Sequence, residues 1–340
     1  MDTNNLFKYA DKELVIDAFL CWLIEEMNTA ELSELRESFL KEFLELDESI
    51  VDRVMCLKAE KQVNNVDVIC TLKTHEGDKK IIFENKMHST EHSKQLKRYK
   101  DENPDALEYI YLKLGYVHRL DRKAVKGDDY EYKIRSAKDL ERLIEPLNGG
   151  NPFIKEFYKY LHENFVVPQS HFPAYLKQNI FKELDNASFQ QFVMERIKEQ
   201  LKEAGWEDEN LKFKIGNNPD GRPWTQLDFS QIRQKYGELD ETLFFRLDKS
   251  SGKNYLRINL YSQQGKKYWD VKKPRLGKLR KVAEEIAKST NLKPGDYYNR
   301  AKNEVETIIL FFEDGNPIQT VISHSVKLAT ALRRAHQKMG

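Results

Sequence analysis

Three side chains, Asp67, Glu84 and Lys86, have the types and spacing for metal-assisted hydrolysis. Two carboxylates offer the hard oxygens that Mg²⁺ takes, with water and a substrate phosphate completing its octahedron. An ammonium group beside them can orient or help deprotonate an attacking water and offset phosphate charge. The bland alternative is a solvated ion-pair cluster on a half-exposed hairpin.

The surrounding stretch predicts how they are positioned. Val66, Val68, Ile69 and Leu72 form an apolar strand pattern around Asp67, and a second apolar segment from Lys79 to Met87 carries Glu84-Asn85-Lys86. The polar turn His75-Glu76-Gly77-Asp78 between them makes the pair an antiparallel hairpin. A turn centred between Glu76 and Gly77 sets Asp67 opposite Lys86 and Ile69 opposite Glu84. All three charges then share one face. Ser89 or Thr90 can N-cap a following helix, on which Gln95 and Tyr99 lie four residues apart on one side.

The string D-(16)-E-N-K-(8)-Q-L-K-R-Y resembles the PD-(D/E)xK nuclease superfamily. Val66 stands where that pattern usually has Pro. The resemblance implies an α/β fold with a restriction-endonuclease-like core, a mixed sheet flanked by helices. It implies that Asp67 and Glu84 hold Mg²⁺, for which Mn²⁺ can substitute, with the backbone carbonyl of Asn85 as a further ligand. Lys86 then serves the hydrolytic water, and Gln95 and Tyr99 orient Lys86 or contact the substrate backbone. Glu13, on the first predicted helix, is the candidate for an acid that reaches the metal from that helix; the alternative is a favourable first-turn acid. The implied reaction is phosphodiester hydrolysis, of DNA ahead of RNA, in a restriction or antiviral defence setting by analogy. A homodimer would supply the two sites that cutting both strands at once requires. Two rivals stay open: a binding module that no longer cuts, and an effector silent until a protein or small-molecule regulator meets its second domain.

Length and composition bound the rest. A chain of 340 residues exceeds what one core fills, which predicts domains over 1–167 and 168–340. The linker between them is expected at Val166–Pro173, where two prolines bracket a polar segment. Net charge is +1, so only local basic patches can argue for a nucleic-acid partner. Cys21, Cys56 and Cys70 lack CxxC spacing and read as buried thiols of a reducing cytosol. No secretory signal is visible, and the longest apolar run, Ala18–Ile24, is far below the ~20 residues of a membrane span. The expectation is a soluble cytoplasmic protein. His88 and His92 have a zinc-like i, i+4 spacing but no third ligand pattern.

Along the chain, apolar spacing predicts helices over 11–27, 31–46 and 152–165, and Ser136 with Asp139 marks another helix start. Strands are expected over 106–114 and 130–134. The segment 115–129, with His118, Arg119, Arg122, Lys123 and Lys126, reads as a basic loop able to touch a phosphate backbone. Beyond the linker, a helix over 189–204, strands over 211–215, 224–229, 243–247, 254–261 and 305–312, and helices over 276–289 and 321–337 predict an α+β domain with a mostly antiparallel sheet. Its role is substrate binding, partner binding or regulation. Within it Lys266–Lys281 carries eight basic residues against one acid. There Lys266, Lys267, Trp269, Lys272, Lys273 and Arg275 are the candidate nucleic-acid contacts, cations for phosphates and an aromatic face for an unpaired base. A solvated basic loop and helix start is the alternative. The turn-rich loop Asn217–Trp224 is a second candidate for ligand recognition.

Overall fold

Apolar alternation between Val54 and Lys86 builds three antiparallel strands in succession: β1 (Val54–Val63), β2 (Val66–Thr74) and β3 (Gly77–Lys86). Two-residue loops close both hairpins, since Val63 pairs with Val66 and Thr74 with Gly77. The first loop is Asn64-Asn65, both at positive φ (52° and 64°), a conformation that asparagine tolerates and that matches strand twist. The computed structural model of the chain describes residues 7, 13–91, 94–147, 149–178, 181–232, 240–250, 253–290, 304–311 and 317–339. Two compact units divide it, Met1–Ser170 and His171–Gly340. Among the described residues no helix is long and apolar enough to cross a membrane.

In the first unit β4 (Glu108–Lys113) and β5 (Lys133–Ser136) extend the sheet in the order β1-β2-β3-β4-β5, parallel from β3 onward. A parallel neighbour requires a crossover. The helix that supplies it, α4 (Gln95–Glu102), follows α1 (Glu13–Glu26), α2 (Ser33–Ser38, running on as a π-helical turn to Phe43) and the short α3 (Glu48–Val51). After β4 come α5 (Arg119–Ala124), α6 (Ala137–Ile144), α7 (Pro152–Leu161) and α8 (Val167–Leu176).

Strand periodicity sorts the sheet's side chains into two cores. Val68, Cys70, Ile81, Phe83, Ile110 and Leu112 pack with Phe19, Leu20 and Leu23 of α1 and Phe157 of α7. Ile69, Ile82, Tyr109 and Tyr111 pack on the other face with Leu96 and Tyr99 of α4. Ile82, Glu84 and Lys86 share that second face, because residues two apart on a strand point the same way.

The register differs from the sequence expectation. The last pair of the β2–β3 ladder is Val68 with Phe83, which sets Asp67 next to Glu84 instead of Lys86. Gly77, at φ +115°, takes the strained end of the turn, and Thr74 Oγ1 ties the loop by donating to the Gly77 carbonyl at 2.7 Å. The turn therefore closes one residue earlier. Its two-residue register shift is even, so every side chain keeps its face.

The expected linker is also different. His162–Val166 is a π-helical turn and Val167–Leu176 is helix α8. The π-helical turn runs directly into α8, so Pro168 follows helical residues, and Pro173 also lies inside the helix, each without a backbone donor. Of the helix expected over 11–27, residues 11 and 12 lie outside the described residues.

The second unit holds an antiparallel sheet of order β10-β9-β8-β7-β6: β6 (Lys212–Asn217), β7 (Pro223–Ile232), β8 (Glu241–Ser250), β9 (Lys253–Ser262) and β10 (Val305–Phe311). Among the described residues, α9 (Ala187–Glu203), α10 (Trp269–Thr290) and α11 (Ile318–Gln337) accompany it. Asn186 caps α9 by accepting the N–H groups of Ser188 and Phe189.

Candidate active site

Where the β2–β3 backbone ladder stops, a side chain takes over. Asp67 Oδ2 accepts the Asn85 N–H at 2.8 Å, which fixes the carboxylate at the end of β3. Glu84 is fully buried beside it, and the Lys86 ammonium, also buried, donates to Glu84 Oε1. The other oxygen, Glu84 Oε2, is buried without a hydrogen-bond partner. The structure thus brings together the three residues singled out by type and spacing.

The electrostatics follow from this crowding. Burial, then the Asp67 carboxylate, pushes the Glu84 carboxyl up to about 8. Asp67 is raised by burial as well, against the Asn85 hydrogen bond and the Lys86 charge that pull it down. Burial pulls Lys86 down, but Glu84, Glu13 and Asp67 outweigh it and leave the ammonium above its ordinary range. Near neutral pH the site therefore carries the Lys86 ammonium and a Glu84 carboxyl that still holds its proton. A dicationic metal would replace that proton and supply the missing acceptor partner. Among the described residues no group of three or more His, Cys, Asp or Glu side chains is arranged to hold a metal ion. A hard cation takes carboxylate oxygens of this kind, with water completing its shell.

The side chain of Asn85 turns to the opposite face, where Nδ2 donates to Asp17 Oδ1 at 2.7 Å. Asp17 is buried on α1 one turn after Glu13, and burial, the largest effect, raises it to about 6. Sequence reasoning missed it; the available signal was an acid among the apolar side chains of that helix. Glu13 Oε1 accepts the Met87 N–H at 3.1 Å and the Ser89 hydroxyl at 2.9 Å. Its charge acts on Asp67 and Lys86, so α1 does place an acid at the site's edge.

Gln95 and Tyr99 meet each other instead of Lys86. Gln95 Nε2 donates to the Tyr99 hydroxyl at 2.7 Å, and that hydroxyl donates to the Asn65 carbonyl. Tyr99 is fully buried, so it anchors the turn two residues before Asp67 and does not reach out to a substrate backbone. Nor do Ser89 or Thr90 cap the helix: Lys94 is the N-cap, at φ 55°, and Glu91 Oε1 accepts the Gln95 N–H at 2.6 Å.

The expected basic loop is partly interior. His118 and Asp121 form a capping box on α5, with Nδ1 of His118 accepting the Leu120 N–H at 2.9 Å. Both are buried, and burial brings His118 down to about 4, so it is neutral. Arg122, Lys123 and Lys126 remain at the surface. His88 lies against the Phe165 ring, while His92 lies outside the described residues.

In the second unit the basic segment divides. Lys266, Lys267 and Lys273 are at the surface and Trp269 is half-buried. Lys272 is fully buried and donates to the Glu304 carbonyl at 2.7 Å. Arg275 grips buried Glu241 through Nε and Nη2 at 2.9 and 2.7 Å and donates to the Met339 carbonyl at 2.6 Å. These two cations serve the interior, because a buried carboxylate and open carbonyls need donors. Arg222, in the turn-rich loop, is committed to Asp220. No protein-family model, curated protein or solved structure matches the chain.

Proposed function

We propose that the protein is a Mg²⁺-dependent nuclease that hydrolyses phosphodiester bonds of DNA, with a restriction-endonuclease-like core in its first unit. The observation that carries this reading is the trio Asp67, Glu84 and Lys86, with Asp67 half-buried beside buried Glu84 and Lys86 and with no donor on Glu84 Oε2. The order α1, β1-β2-β3, α4, β4 around that trio supports the same reading. Asp67 and Glu84 would hold the ion, with the Asn85 carbonyl. Bound there, Mg²⁺ would supply positive charge for the phosphate and Lewis acidity for the attacking water. Lys86 orients the attacking water and stabilises charge that develops on the phosphate oxygens. Asn85 holds Asp67 through its N–H, and Tyr99 holds the turn that leads into it. The second unit serves substrate or partner binding through its exposed lysines, and the setting is cytoplasmic defence against foreign DNA.

The test is cleavage of supercoiled plasmid, linear duplex and single-stranded DNA and RNA with Mg²⁺ or Mn²⁺, wild type beside Asp67→Ala and Lys86→Ala. Cutting by wild type alone is the expected result. Equal cutting by all three proteins, or none by any at matched fold, overturns the reading.

A further inference from the structure

β4 lies parallel to β3 with Tyr111 in register with Glu84 and Lys113 with Lys86. Lys113 is fully buried and follows Tyr109, Ile110, Tyr111 and Leu112, all buried, along β4. Its Nζ donates to the Ser89 carbonyl and stands 3.7 Å from Asp121 Oδ1. Asp121, itself fully buried, also accepts the Tyr111 hydroxyl at 2.8 Å and the His118 N–H at 3.1 Å. From Ser89 the connection continues: the hydroxyl donates to Glu13 Oε1, which also accepts the Met87 N–H. A polar chain thus runs Asp121, Lys113, Ser89, Glu13, and it ends on the acid that α1 brings to the site.

Stability alone gives no reason for this lysine, since buried ion pairs replaced by apolar side chains are often neutral or stabilising. Its geometry does give one. Backbone N–H groups of Leu114 and Gly115 hold the Lys86 and Met87 carbonyls, and beyond them Lys113 clamps the segment by the Ser89 carbonyl from the neighbouring strand.

We propose that Lys113 is a positioning residue of the metal site, holding Glu13 through Ser89 against the end of β3. This inference rests on the nuclease reading above. Glu13 acts on Asp67 and Lys86 by its charge, so its position bears on metal affinity as an outer group does, at the lower end of roughly 10–100-fold.

The experiment is Mn²⁺ binding by isothermal titration calorimetry on the full chain, with far-UV circular dichroism to establish the fold. Four variants are compared with wild type: Lys113→Met, Lys113→Met/Asp121→Asn, Ser89→Ala and Lys133→Met. Lys133 is the control, because it pairs with Glu108 and the Leu44 carbonyl, away from the polar chain. Ser89 lies outside the core, so its substitution tests the same connection if the Lys113 variants fold poorly. Mn²⁺ affinity is expected to fall about tenfold in the Lys113 variants, to fall in Ser89→Ala and to hold in Lys133→Met. Unchanged affinity in folded Lys113→Met or in Ser89→Ala, with wild type binding normally, overturns this inference alone. Wild type that binds no Mn²⁺ overturns the metal site and the inference together.

Discussion

Asp67 Oδ2 accepts the Asn85 N–H at 2.8 Å, one residue beyond the last backbone pair of the β2–β3 hairpin. The carboxylate is both a sheet acceptor and a candidate metal ligand. An amide can keep the first role and lose most of the second. Asp67→Asn is therefore expected to fold with a melting temperature near that of wild type while cleavage falls by roughly 10²–10³-fold. Thermal denaturation and a plasmid assay on the same preparation check both halves.

Lys86 stands on Glu84, and neither has much water. Removing one partner of a buried pair typically costs about 3–5 kcal/mol when the other must stay charged. Glu84 escapes part of that by keeping its proton, since it is already pushed up to about 8. Lys86→Met should accordingly be destabilised more at pH 9 than at pH 6. Urea denaturation at the two pH values measures the difference, and equal losses would contradict the pairing.

Asp17 gives a pH dependence with a definite sign. Its folded value of about 6 exceeds its ordinary 3.8, so the fold binds a proton that the unfolded chain releases first. Its contribution is fully present below about pH 4 and is lost as pH rises through 6. The loss amounts to at most about 3 kcal/mol. Asp17→Asn should flatten that part of the stability curve between pH 4 and 7, read by denaturant midpoints with metal excluded by a chelator.

Tyr99 holds the Asn65 turn through its hydroxyl. Tyr99→Phe preserves the ring in the α4 core and removes only that tie. A loss of about 1–3 kcal/mol is expected, because the Asn65 carbonyl loses a donor. Cleavage should slow as well, since Asp67 follows two residues later. A loss of stability with unchanged kcat would assign Tyr99 to the core alone.

The second unit separates interior from surface cations. Arg275→Ala leaves Glu241 buried with the His336 ring at 3.3 Å and the Ser262 hydroxyl as partners, and should cost about 3–5 kcal/mol. Changing Lys266, Lys267 and Lys273 together to Gln should leave the melting temperature within experimental error. If these lysines meet phosphates, the salt dependence of DNA binding becomes shallower, by up to about 0.9 for each phosphate no longer neutralised. Fluorescence anisotropy at several salt concentrations reads that slope.

The sequence by itself determined α1, the β2–β3 hairpin and the face that Asp67, Glu84 and Lys86 share, while β1, α5 and α8 were not legible in it. α1 follows from apolar spacing, β2 and β3 from period-2 alternation, and the gathering of Asp67, Glu84 and Lys86 from parity, which survived a turn misplaced by one residue. These are local periodicities, set by backbone geometry and readable from one stretch at a time. Only the tertiary structure decided what covers each face. It put Glu84 fully out of water, committed Tyr99 to Asn65, drew Asp17, Lys113, His118 and Asp121 inside, and divided the basic segment between Arg275 and Lys272 within and Lys266, Lys267 and Lys273 outside. A charged side chain has the same sequence signature exposed or buried. Its desolvation, its partner and therefore its chemistry depend on segments distant in sequence that fold over it.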